Sequence, residues 1–154
     1  MANPFDFDSG AILTAAQLNG IAAIDSYTPS FTGLTVGSAT VSSFYTQVNH
    51  MVYFGGYITF AADTTIDASL VSTNFPIASN STGAYLSNIQ LNFYDASGNA
   101  YYMGHARVKS ATDFYLYYDR TSGIYNYLSN ISSTNPFTWT TGDWILWKGT
   151  YRAA

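Results

Sequence analysis

Cysteine and glutamate are both missing from this chain of 154 residues. Without cysteine there is no disulfide and no thiolate metal site. Glutamate favours helices and is depleted in strands, so its absence leans the composition toward β structure. Charge of either sign is scarce: charged residues make up 9%, against roughly 25% in a typical soluble domain. The basic residues are Arg107, Lys109, Arg120, Lys148 and Arg152, scattered in a chain of net charge −4. They form no phosphate-tracking stripe, so nucleic acid is not an expected partner. No apolar run reaches the roughly 18 residues of a spanning helix, so no membrane insertion is expected. The start, Met1 to Asp6, has no basic n-region. A secretory leader is therefore not expected, and assembly in a cytoplasm is.

What the chain has in quantity is aromatic and small polar surface. Tyrosine occurs 14 times and phenylalanine 10 times, within an apolar fraction of 47%. Aromatic residues suit a pleated, half-buried surface. A surface poor in ions and rich in tyrosine buries against copies of itself at little desolvation cost, and interfaces show this bias. The expectation is a homo-oligomer.

Two regions differ in character. Residues 1–30 form an N-terminal segment and residues 31–154 a β domain. Thr28-Pro29-Ser30 marks the joint, because the residue before a proline is pushed out of helical geometry. In the first region Thr14-Ala15-Ala16-Gln17 reads as a capping box, with Leu13 and Leu18 placed as a hydrophobic staple. The spacing predicts a helix from about Ala15 to Ile24, with Leu18 and Ile21 on its apolar face. Some ten residues are too few for a free-standing helix. It must dock on its own domain, on a sister subunit or on another protein, and Leu13, Leu18, Ile21 and Ile24 are the candidate anchors.

From residue 31 the pattern has period two. Val41–Val48 and Met51–Phe60 read as a hairpin joined by Asn49-His50. Ala84–Tyr94, Ala100–Val108, Phe114–Tyr118, Ile124–Leu128 and Trp144–Tyr151 follow, separated by turn chemistry at 95–99, 110–113, 119–123 and 141–143. Residues 61–69 and 128–136 read as long surface loops. Eight to ten short strands predict an all-β antiparallel sandwich or jelly roll. Tyrosines on the second faces imply strands covered on both sides.

Candidate chemistry is thin. His50 and His105 stand apart, without metal-ligand spacing. The nine aspartates lie mostly in the N-terminal segment or in turns, where their side chains bond their own backbone. No nucleophile elbow, P-loop or dinucleotide fingerprint is present. The chain is therefore not expected to be an enzyme, and no cofactor is implied. Gly55-Gly56 inside a strand suggests a bulge or a close backbone approach. Tyr101, Tyr102, Tyr115, Tyr117, Tyr125 and Tyr127 cluster, and two accounts fit them: subunit interface and core, or a glycan platform. Trp139, Trp144 and Trp147 are expected to anchor the core.

Three stretches carry a resemblance. They are Tyr27-Thr28-Pro29-Ser30-Phe31-Thr32-Gly33-Leu34, then Phe44-Tyr45-Thr46-Gln47-Val48-Asn49-His50-Met51-Val52-Tyr53, then Asn135-Pro136-Phe137-Thr138-Trp139 through Trp144 to the Lys148-Gly149-Thr150-Tyr151 ending. They resemble a β domain of bacteriophage minor tail and fibre proteins. Leu13-Thr14-Ala15-Ala16-Gln17-Leu18 is similar to the attachment segment placed before such domains. The resemblance implies a virion structural protein with a jelly-roll-like β-sandwich, trimeric, bound to other tail or capsid proteins and in contact with host surface polysaccharide. Tail fibres are often long, with a shaft before the tip, and none is expected here, so a capsid decoration (cement) protein or a short head fibre is the alternative. A carbohydrate-binding module is a further one.

Overall fold

The computed structural model describes residues 23–67, 70–80, 88–122 and 124–154. Every helix or strand among them is a β-strand. In chain order these are β1 (Asp25–Ser26), β2 (Phe31–Thr32), β3 (Leu34–Thr35), β4 (Thr40–Val48), β5 (Met51–Thr59), β6 (Thr65–Ile66), β7 (Ser72–Asn74), β8 (Asn88–Asp95), β9 (Ala100–Val108), β10 (Asp113–Ser122), β11 (Tyr125–Asn130) and β12 (Trp144–Arg152). The expected helix over 15–24 lies outside the described residues except at its end, where Ile24 is exposed and precedes β1. Residues 84–87 of the strand expected over Ala84–Tyr94 lie outside them too.

All pairings are antiparallel. One sheet runs in the order β1-β4-β5-β12-β8-β9-β10-β7-β2, with β11 paired to β10, and β3-β6 forms a separate ribbon. This order demands curvature. Nine strands laid flat would set the outermost two about 38 Å apart. Yet only residues 27–30 separate β1 from β2, a link that spans at most about 17 Å. The sheet therefore curls until its ends approach. Phe54 on β5 meets Phe114 on β10 at 5.7 Å between ring centroids, although three strands stand between them along the sheet.

Alternation explains the core. Val52, Phe54 and Ile58 of β5, Ile145, Trp147 and Tyr151 of β12, and Ile89, Leu91 and Phe93 of β8 all point inward. The register pairs large residues with small ones. Ser43, Gly56, Trp147, Leu91, Gly104 and Tyr118 form one inner row across six strands. Gly56 leaves room for the Trp147 indole, since a Cβ there would lie 2.5 Å from Cζ2. The expected close approach at Gly55-Gly56 is thus present, with unbroken pairing through both residues. Trp147 Nε1 donates to the Tyr27 hydroxyl at 2.8 Å, and burial pushes that hydroxyl's pKa well above the usual phenol range. Residues 25–30 are therefore stitched to the sheet on both sides of the Pro29 joint.

Three local expectations change. Residues 119–122 of the turn expected at 119–123 are strand, residue 123 lying outside the described residues: β10 continues to Ser122 and pairs with β11 from Ser122↔Tyr125 onward. Pairing with β9 ends at Tyr118↔Gly104, so residues past 118 form a two-stranded ribbon with exposed polar side chains that mimic turn composition. Residues 61–69 hold β6, whose Ile66 is buried opposite Leu34. Trp144 faces outward rather than into the core, because it alternates with Ile145 and Trp147.

Candidate functional site: the outer face of the sheet

The convex side of β4, β5, β12, β8 and β9 carries exposed aromatic side chains, among them Phe44, Tyr53, Tyr57 and Tyr101. Register sorts its side chains into rows. The first row is Thr40, Thr59, Trp144, Tyr94 and Tyr101; the second is Ser42, Tyr57, Leu146, Asn92 and Met103. These ten positions hold no Asp, Lys or Arg. Tyr94 stacks on Trp144 at 5.4 Å, and Tyr101 packs against both at 4.8 and 5.9 Å. Tyr101 is nonetheless 68% exposed and Met103 45%. A shallow hollow of about 250 Å³ lies between Tyr57, Thr59, Trp144 and Leu146.

The next two rows are different. The third is Phe44, Gly55, Lys148, Gln90, His105 and Tyr117; the fourth is Thr46, Tyr53, Thr150 and Asn88. With no side chain on Gly55, the Phe44 ring lies over it, and a Cβ there would sit 3.1 Å from Phe44 Cζ. The result is an open groove of about 510 Å³, walled by Phe44, Tyr53, Asn88, Gln90, His105 and Lys148. Phe44 and Tyr53 are about half exposed, at 49% and 48%. His105 Nδ1 lies 3.0 Å from Asp119 Oδ1, which orients the ring.

The expected tyrosine cluster divides. Tyr101 and Tyr117 point outward, in the first and third rows. Tyr115 packs edge-on to Tyr117 at 6.2 Å, with the Lys109 ammonium 5.5 Å from its ring centre. Tyr102 turns inward and packs on Phe137 at 5.1 Å. Tyr125 and Tyr127 stand on the β10–β11 ribbon, the latter with Arg120 5.9 Å from its ring centre. Of the expected anchors, Leu13, Leu18 and Ile21 lie outside the described residues. Phe44, Tyr53 and Lys148 went unnoticed in the sequence, because only the cross-strand register brings them together.

The acids serve turns. Asp63 accepts from the Ser38 amide and hydroxyl, Asp67 from Thr35 and Thr65, and Asp95 from Ser97 and Gly98. These bonds hold all three carboxyls below the usual carboxylate range. Asp143 is buried and ties the 95–99 turn to the segment before β12, accepting from Ala96 N at 2.8 Å and from Thr140 N. Among the described residues no three His or Asp side chains group to hold a metal. Comparison with protein-family models, curated proteins and solved structures gave no match.

Proposed function

We propose that this chain is a non-catalytic structural protein that assembles with copies of itself and is displayed on the surface of a tailed-phage particle. The observation that carries the assembly part is the charge-free aromatic end of the outer face. Ten adjacent side chains without a formal charge bury against an identical patch with no ion to desolvate and no like-charge clash. A C2 pair or a closed ring both suit such a patch; the homotrimer comes from the family resemblance. The virion placement, as a minor tail or fibre-type protein or alternatively a capsid decoration protein or short head fibre, rests on the same resemblance. So does the jelly-roll-like reading of the curled sheet.

In this reading residues 1–26 attach to the particle through Leu13, Leu18, Ile21 and Ile24, and the β domain projects. Light scattering of the full chain at micromolar concentration should give a multiple of 16.8 kDa. The double variant Tyr101→Lys/Met103→Lys should fall to the single-chain mass with its circular dichroism unchanged. A wild-type chain that already runs as a monomer would refute the assembly role. Leu18→Asp should keep the wild-type mass and lose incorporation into particles.

A further inference from the structure

The groove at the other end of the outer face is built differently and meets different chemistry. Its lining contains two half-exposed aromatic rings, two primary amides, one imidazole and one ammonium, and no carboxylate. Lys148 is exposed and forms no salt bridge with any described residue. Its register neighbours are Gly55, which offers no side chain, and Gln90, which is neutral. A cation held in a concavity without a counter-ion presents an unmet demand for an anion. Beside it, the half-exposed Phe44 ring lies over Gly55, an apolar ring of the kind that stacks on the C–H side of a sugar. Asn88 and Gln90 supply donors and acceptors in pairs, which match vicinal hydroxyls.

We propose that this groove binds a carboxylated sugar unit within a polysaccharide, with the ring on Phe44 and Tyr53, the carboxylate on Lys148, and hydroxyls on Gln90, Asn88 and His105. An open groove suits a passing chain better than an enclosed small molecule. An acidic peptide would satisfy Lys148 but would leave the planar rings and paired amides unused. The inference extends the surface-protein reading by naming what the displayed face touches. A single site of this kind is weak, and an oligomer presenting several copies converts weak contacts into useful avidity.

The test is titration calorimetry of the full chain with a galacturonate oligosaccharide, its methyl ester, a neutral galactose oligosaccharide and an oligo-aspartate peptide. The uronate oligomer should bind, and its methyl ester should bind about tenfold more weakly, the scale of one charge-assisted hydrogen bond. Lys148→Gln should remove that difference, and Phe44→Ala should weaken both sugars alike. Tyr125→Ala, on the distant ribbon, should change nothing. Equal binding of acid and ester, an unaltered Lys148→Gln variant, no sugar binding at all, or preference for the aspartate peptide would each overturn the proposal. Light scattering of the same samples reads assembly separately, so failure of the groove and failure of the assembly reading are distinguishable.

Discussion

The two ends of the outer face share the same strands and differ in which residues the register sets side by side. At one end Trp144, Tyr94 and Tyr101 stand in line and make a surface with no formal charge. At the other, two residues further along each strand and beyond, Phe44, Lys148, Gln90 and His105 stand in line and make a charged groove. The strands are the same, so the difference lies in which residues fill each row. It comes from Gly55, whose missing side chain opens a floor beside Lys148, and from Leu146 and Met103, which fill the corresponding space at the aromatic end.

The strongest way to break the comparison acts on both ends at once. Gly56→Ala places a Cβ against the Trp147 indole and 2.8 Å from the Ser42 carbonyl. Overpacking of this kind costs about 2–3 kcal/mol, and urea denaturation should show it as a lower midpoint with both assembly and sugar binding impaired. Next in size, Met103→Lys alone should lower the assembled mass, because burying an unpaired ammonium is costly, while leaving uronate affinity intact. Smaller again is Gly55→Ala. Its Cβ pushes the Phe44 ring by a few tenths of an ångström, so the groove should lose affinity while thermal stability shifts by less than about 1 kcal/mol.

The smallest effect separates the ends by pH. Asp95 accepts from Ser97 Oγ and Gly98 N in the turn that joins Tyr94 to Tyr101, and its folded pKa lies below the ordinary 3.8. Its stabilising contribution is complete above the unfolded value and is lost as pH falls through the folded one. Hydrogen exchange of the β8–β9 turn should therefore rise in acid below pH 3.8, and Asp95→Asn should flatten that rise.

The strands were legible in the sequence wherever one face is buried. Val52, Phe54 and Ile58 alternate with Met51, Tyr53 and Tyr57, and the Asn49-His50 turn is a two-residue hairpin with Asn49 at φ 53. β11 was legible as the strand expected at Ile124–Leu128, but the extension of β10 past Tyr118 was not, because residues 119–121 are exposed and polar and carry no period. The two-residue strands β1, β2, β3 and β6 were also hidden, since pairing and not pattern defines them. The site divided in the same way. Tyr101 and Tyr117 were visible as aromatics on a strand, whereas the pairing of Phe44 with Gly55 and of Gly55 with Lys148 spans three strands and over a hundred residues. Tyr102 was misleading for a simple reason: adjacent tyrosines on a strand take opposite faces.

Hydroxyl-radical footprinting of the full chain, read by mass spectrometry, compares the two ends in a single sample. The account predicts that Tyr101 and Met103 are protected when the chain is concentrated and become reactive on dilution, while Phe44 and Tyr53 react equally in both. Uniform labelling of all four at every concentration, in keeping with their open positions in the single chain, would contradict it.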